Sequence, residues 1–204
     1  MIQRRTFLTW LVALCATGSM PLAARAQSTD RASSFVKATG DKLVAVVNGP
    51  GSAAQKRGEM TQIINASVDV DSVGRFCLGR YWRQASEEQK KRYLDLFHEV
   101  LITNITSKLG DYKGVKFTLG RSRPQDEEVA VSTTVDRPNN PPTAVDWIIS
   151  NPDSAPKIID VVAEGTSLRL TQRSDYASYL AHNNNNINAL ITAMHRQVEQ
   201  NASG

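Results

Sequence analysis

Between Leu109 and Val115 the hydrophobic period of this chain changes, and that change limits the folds open to it. Before it, Tyr93, Phe97, Val100, Leu101 and Ile105 recur at spacings of three and four, the stripe of an amphipathic helix. After it, Val115, Phe117 and Leu119 alternate with polar residues, as do Val129, Val131, Thr133 and Val135, and then Val145, Trp147 and Ile149. Period-two runs of this kind are half-buried strands. Ile158 to Val162 and Ser167 to Leu170 are two further short β-rich runs, and Arg123-Pro124, Asn139-Asn140-Pro141-Pro142, Asn151-Pro152-Asp153 and Glu164-Gly165 separate the runs as turns. The tail returns to helical spacing at Ile187, Leu190, Ile191, Met194 and Val198. Helices, then strands, then helices describe an α+β domain: a curved antiparallel sheet wrapped by N- and C-terminal helices, with the helices expected on one sheet face.

The helix boundaries are written in local signals. Phe35, Leu43, Val46 and Val47 suit a helix from Ser34, stopped by Asn48-Gly49-Pro50-Gly51; residues 27–33 are polar and expected to be loose. A second helix is expected from Ser52 to about Ala66. Val68 to Asp71 reads as extended or turn, with Asp71 placed to cap a short helix through Gly74, Phe76 and Leu78. Ser86 followed by Gln89 is a capping box, and Glu87 and Glu88 sit where the helix dipole favours acids, so a helix is expected from Glu87 to about Leu109. Ser174 is placed to cap a helix to His182, and the run Asn183–Asn186 interrupts the tail as a turn or a helix start.

The first 26 residues read as a secretory signal peptide. Arg4 and Arg5 form a basic start, Leu8 to Ala16 an apolar run too short to span a bilayer, and Ala24-Arg25-Ala26 a small-x-small cleavage site. Arg4-Arg5-Thr6-Phe7-Leu8 is similar to a twin-arginine signal, but Gln3 and Thr9 depart from that pattern, so Sec export stands beside it. Residues 27–204 are then one domain, long enough for a sizeable core. Loss of Arg4, Arg5 and Arg25 with the signal brings the formal net charge from +4 to +1, and no run of like charge suggests a nucleic-acid arm. Cys15 leaves as well. Cys77, between Phe76 and Leu78, is the remaining thiol and reads as buried and inert, so packing replaces disulfides.

Catalytic chemistry is sparse. His98, His182 and His195 form no metal-ligand spacing, and the chain has no GxSxG elbow and no phosphate-cradling glycine loop. Asp160 and Glu164 read as strand-end carboxylates paired with Lys or Arg. Aromatic residues are what remains. Singly each is core; together, on a curved sheet covered by helices, they permit a cone whose side chains do not all meet, leaving an apolar cavity suited to acyl chains. Burial contributes ~0.8 kcal/mol per methylene, so one long chain gains on the order of 10 kcal/mol before ordering costs.

Two blocks resemble a known family. Leu78-Gly79-Arg80-Tyr81-Trp82-Arg83-Gln84-Ala85-Ser86-Glu87-Glu88-Gln89, followed by Tyr93, Phe97 and Leu101, is similar to the signature of the MlaC, or toluene-tolerance, family of periplasmic lipid-binding proteins. Val145-Asp146-Trp147, Lys157 to Val162, Glu164 to Leu168 and Gln172 to Tyr176 are similar to that family's closing strand–strand–helix segment. The resemblance runs from about Phe35 to Gln197. It implies a cone resembling nuclear transport factors and no cofactor. It also implies a non-catalytic phospholipid shuttle, expected to be a monomer. Its partners would be an inner-membrane ABC lipid transporter and an outer-membrane lipoprotein–porin complex. A related branch is associated with hopanoid lipids.

The residues expected to line the cavity are Tyr81, Trp82, Tyr93, Phe97, Leu101, Phe117, Val131, Trp147, Ile149 and Val161, with one parity of each strand facing inward. Arg80, Arg83 and Lys113 are candidates for lipid phosphate or acidic partners, solvated charge being the plainer reading. Two other readings stand beside the carrier. One is a small enzyme on the same scaffold using His98 with an acid. The other is an interaction module whose interior is filled.

Overall fold

A computed structural model of the chain describes residues 22–202, so the basic start and apolar run of the expected signal peptide lie outside the described residues. The helices are α1 (Leu22–Asn48), α2 (Ala53–Ser67), α3 (Val70–Leu78), α4 (Glu87–Thr106), α5 (Leu168–His182) and α6 (Ile187–Ala202). Single 3-10 turns follow α3 (Gly79–Arg83) and α4 (Leu109–Tyr112). The strands β1 (Lys116–Gln125), β2 (Glu128–Asp136), β3 (Thr143–Ser150), β4 (Lys157–Ala163) and β5 (Thr166–Ser167) form one antiparallel meander in the order β1-β2-β3-β4-β5. The α+β class and the helix–strand–helix order are as the periodicity requires.

The expected capping box at Ser86 is present: Gln89 N–H donates to Ser86 Oγ, and Ser86 N–H donates to the Gln89 side chain. A second box, Ser52 with Gln55, starts α2 in the same way. The Asn run resolves into three separate jobs. Asn183 ends α5 and its amide donates to Tyr179 O; Asn184 and Asn185 take left-handed conformations (φ 55° and 58°); Asn186 Oδ1 accepts from Asn188 N–H at the start of α6. Asn tolerates the left-handed region better than other side-chain-bearing residues, which is why a run of it makes this tight corner.

Several boundaries differ from the sequence expectation. Residues 27–33 are helical, not loose. Ala32 and Val36 are fully buried against the sheet, and the Thr29 and Ser33 hydroxyls bond back to Ala26 O and Thr29 O, so packing overrides weak local preference. Asp69, not Asp71, caps α3, accepting from Ser72 N–H at 3.0 Å, while Asp71 lies in the first turn and pairs with Arg75. The α4 helix stops at Thr106. The run Ser167–Leu170 is only briefly a strand: Ser167 caps α5, which starts at Leu168, so Ser174 lies inside the helix.

Helices also cover both faces of the sheet rather than one. Val129, Val131, Ile149 and Ile158 pack on Ala32 and Val36 of α1, whereas Ala130, Ile148 and Ile159, of opposite parity, pack with Val73 of α3. Two bulges set this arrangement. In β4, Ile149 pairs with Ile158 and Ile148 with Asp160, so Ile159 and Asp160 are consecutive residues on the α3–α5 side. In β1, the register shifts between Leu119 and Ser122 beside Gly120, where a Cβ would stand 2.9 Å from Ser132 O. The largest core lies among the helices, centred on Tyr93, Phe97 and Tyr176, whose rings stand 5.8–6.4 Å apart.

Candidate functional site

The seam between α1 and the sheet is the apolar site that the topology builds. Cross-strand rows line its floor: Val131, Trp147 and Val161 stand opposite one another, as do Val129, Ile149 and Ile158. Phe117 and Leu119 extend the floor onto β1. The roof is α1, which presents Ala32, Val36, Thr39 and Gly40 at helical spacing. These small residues let the helix lie close. A Cβ on Gly40 would come within 2.6 Å of the Phe117 ring. What remains between Val36, Thr39, Gly40, Trp147 and Ile158 is a narrow space with no room for a water molecule. Ligand sites for small molecules run to ~300–1,000 Å³, so the seam is closed in this conformation.

The seam is apolar but not featureless. Trp147 Nε1–H donates to Thr133 Oγ1 at 2.9 Å, and the Thr133 hydroxyl donates to Val145 O at 3.0 Å, so the indole turns its ring to the floor with its polar group satisfied. Along the rim, α1 is tied to the sheet and its loops by polar contacts. Ser28 donates to Asp153 at 2.7 Å, Arg31 donates to the Asp153 carbonyl at 2.8 Å, and Ser33 and Ser122 share a hydrogen bond. Exposed contacts of this kind contribute little each. The roof is held by close fit and weak latches rather than by a covalent or deeply buried tie.

Of the ten residues expected around a cavity, the structure brings five to this seam and five elsewhere. Phe117, Val131, Trp147, Ile149 and Val161 face α1. Tyr81, Trp82, Tyr93, Phe97 and Leu101 belong to the helical core. Tyr93 Oη donates to Gly74 O at 2.8 Å, tying α4 to α3, and Tyr81 Oη donates to Asn185 Oδ1 at 2.8 Å, tying the 3-10 turn after α3 to the corner between α5 and α6. Trp82 is half-buried beneath Arg75 and Lys90. Sequence reading missed the α1 roof. The signal was there as small residues four apart at Ala32, Val36 and Gly40, but small residues carry little weight in a hydrophobic stripe. Arg80 stacks on Tyr81 and Arg83 and Lys113 are exposed; none of the three lines the seam.

A second, open cleft of about 380 Å³ lies at the junction of α2, α3, α4 and β4, lined by Asn65, Val68, Asp69, Val70, Asp71, His98 and Lys157. His98 Nε2 hydrogen-bonds Asn65 Oδ1 at 2.6 Å rather than a carboxylate. No cluster of metal ligands occurs among the described residues. Cys77 is 1% exposed and its Sγ–H donates to Arg169 O; burial, reinforced by the charge of Asp160, pushes its thiol up to about 12. That is the environment of an inert thiol. Asp160 pairs with Arg169 as expected, but from the middle of β4 rather than a strand end, and Glu164, exposed in the β4–β5 turn with φ 50°, makes no ion pair among the described residues.

No helix among the described residues is long and apolar enough to cross a membrane. No curated protein matches the chain. A solved structure matches the fold over 84% of this chain and 98% of its own, with a TM-score of 0.74 and 23% identity; it is a phospholipid-binding protein from Ralstonia solanacearum, determined in complex with a phospholipid. The family model for the MlaC protein matches residues 37–196, the span from the C-terminal part of α1 through the whole sheet into α6. The chain belongs to the MlaC family.

Proposed function

We propose that this protein is a phospholipid carrier, holding acyl chains in the seam between α1 and the sheet and doing no chemistry on them. The observation that carries the reading is the seam itself: a continuous apolar floor of strand residues under a roof that touches it through small side chains and weak polar latches. Lifting α1 exposes that floor, and acyl chains can replace the roof's contacts with their own. Transfer of a chain from water to such a surface is favourable by ~0.8 kcal/mol per methylene, enough to offset weak rim contacts. Family membership and the fold shared with a phospholipid-bound protein support the same reading.

In this reading the mature protein works in the periplasm after removal of residues 1–26 as a signal peptide. It moves phospholipid between inner and outer membranes as the soluble component of an ABC-type lipid transport system, acting as a monomer. Its partners are the inner-membrane transporter and an outer-membrane lipoprotein–porin complex. The candidate lipid contacts are those among the ten expected residues that face α1, joined by Val36, Thr39 and Ile158; the helical five hold the scaffold.

The test is native mass spectrometry of the mature protein purified without detergent, followed by extraction and identification of bound lipid. A stoichiometric adduct with the mass of a diacyl phospholipid is expected. A hopanoid mass would keep the carrier and change its cargo. A bare protein from a gentle preparation, unable to take up lipid from vesicles, would sink the proposal.

A further inference from the structure

The seam has two unlike ends. Its floor runs in cross-strand rows, from Val129, Ile149 and Ile158, through Val131, Trp147 and Val161, to Phe117 and its partner Val135. The roof follows from Ala32, which packs with the first row, to Gly40, which packs on Phe117. At the first end, α1 is held by the exposed contacts of Ser28 and Arg31 with Asp153, in the turn between β3 and β4. Contacts of that kind give way easily.

The second end is closed by a side chain. The Phe117 ring takes the place that a Gly40 side chain would need: a Cβ there would stand 2.6 Å from the ring. Gly40 also lines the narrow space beside Trp147. Past Gly40, Leu43, Val46 and Val47 of α1 pack in the helical core, and so does Val135. Phe117 therefore stands where the seam gives way to that core. Trp147 is held in place by its 2.9 Å hydrogen bond to Thr133. Phe117 has no polar tether, is half-buried and lies on the edge strand β1.

Lengths decide what an entering acyl chain meets. From Ala32 to Gly40 the roof is about 12 Å long, at a helical rise of about 1.5 Å per residue. A membrane lipid tail spans one leaflet, roughly half of a ~30 Å hydrocarbon core. A tail fed in from the Asp153 end runs the whole length of the roof and brings its last methylenes against the Phe117 ring.

We propose that Phe117, seated on Gly40, is the stop that limits how long an acyl chain the seam accepts. The proposal rests on the carrier reading and adds a selectivity to it. A smaller side chain at this position joins the seam to the space over Gly40 and admits longer tails. Each tail methylene that finds no apolar wall forgoes roughly a factor of four in binding, so a few surplus carbons produce a measurable preference.

The experiment incubates delipidated mature protein with vesicles holding equal amounts of two phosphatidylcholines, one with fourteen-carbon and one with eighteen-carbon monounsaturated chains. Bound lipids are read by mass spectrometry at equilibrium. Wild type is expected to enrich the shorter lipid by about tenfold. Phe117→Ala is expected to bring the ratio within about twofold of the vesicles, by gaining the longer lipid rather than losing the shorter. Phe117→Leu, the milder truncation, should fall between and carries the test if the alanine variant does not fold. Leu119→Ala, two residues along the same face of β1 and in the same cluster, should lower loading of both lipids alike and keep the wild-type ratio. Equal loading of the two lipids by wild type overturns the stop and leaves the carrier intact. So does a ratio that neither Phe117 variant changes, or one that Leu119→Ala shifts as far. Protein that takes up neither lipid overturns the carrier reading, and the stop with it.

Discussion

The backbone N–H of Arg169, in the first turn of α5, donates at 3.1 Å to the carboxylate of Asp160, on β4. The same carboxylate accepts from Ser167 Oγ at 2.6 Å and from its neighbour Val161 N–H at 2.8 Å, and the Arg169 guanidinium stands 3.4 Å away. A strand residue thus serves as a second, distant cap of the helix that follows, next to the Ser167 cap. The helix dipole and the two N–H groups stabilise the anion, and the anion fixes where α5 leaves the sheet. Glu128, 3.9 Å from Arg169 on the far side, completes the group; burial raises its pKa first of all, and the Arg169 charge opposes that.

Asp160→Ala is expected to be among the more destabilising single changes in the protein. The Asp160 side chain is 5% exposed and Arg169 is mostly buried, so the substitution leaves a guanidinium with one weak partner and a helix start without its distal acceptor. Breaking a buried pair from one side costs about 3–5 kcal/mol. Asp160→Asn, which keeps one acceptor, should cost less. Urea unfolding of the two variants measures both; a loss under about 1 kcal/mol for the alanine variant would contradict the role given to Asp160.

Closing the seam covalently should block loading. Ser33 on α1 and Ser122 on β1 are in hydrogen-bond contact, so a Ser33→Cys, Ser122→Cys pair lies within reach of a disulfide. Oxidised, lipid-free protein is expected to take up no lipid from vesicles, and reduction should restore uptake to the level of the unmodified protein. Cys77 does not interfere, being buried. Uptake at an unchanged rate in the oxidised protein would show that lipid does not occupy the α1–sheet seam.

Cys77 should be silent toward thiol reagents in the native state. Its thiol is protonated at pH 8, since burial and Asp160 lift it to about 12, and it is out of solvent's reach. In the mature protein, titration with an aromatic disulfide reagent at that pH is expected to give no reaction until denaturant is added, then one equivalent. Prompt native labelling would mean that the α3–α5 contact opens readily.

Tyr176→Phe should be neutral or stabilising. The Tyr176 hydroxyl is buried and has no hydrogen-bond partner among the described residues, while its ring makes edge contacts with Tyr93 and Phe97 that phenylalanine retains. Removing an unsatisfied buried hydroxyl relieves a desolvation cost of about 1–3 kcal/mol, of which a part is recovered. Tyr93→Phe is the contrasting control: it leaves Gly74 O without its donor and should destabilise by about 1 kcal/mol. Thermal melts of the two variants should move in opposite directions.

The Arg123–Asp146 pair predicts a pH signature. Burial acts on Asp146 in the raising direction, but hydrogen bonds from Ser132 and Arg123 and the Arg123 charge outweigh it and hold the carboxyl below its ordinary value. A depressed carboxylate contributes stability above its unfolded pKa of about 3.9 and loses it as pH falls through the folded value. Arg123→Gln should therefore be less stable than wild type by about 0.5 kcal/mol at pH 7. The gap should narrow as the pH drops below about 4. A gap that stays constant to pH 2 would assign the loss to packing instead.

Local signals were legible and largely sufficient for the element list. The Ser86 and Ser52 starts, the stop after Asn48, the α4 and α6 stripes and the alternation of β1 to β3 follow from interactions within a few residues, which a sequence displays directly. The five strand-borne candidates could be placed on one face for the same reason: alternation fixes parity. The five helical candidates could not be assigned to seam or core, because an apolar stripe states that a face is buried and not against what.

What the sequence by itself determined is therefore the α+β class, the helix starts at Ser52 and Ser86, the strand parity and the resemblance to the MlaC family. Tertiary structure alone decided that α1 roofs the sheet, that the β4 bulge turns Ile159 and Asp160 together toward α5, and that Asp69 and Lys157 share a cleft on the α3 side of the sheet. Each of these joins residues far apart in the chain through close approach of small side chains, a single inserted residue or a lone charge. Such features add almost nothing to local periodicity, and their energy appears only when the distant surfaces meet.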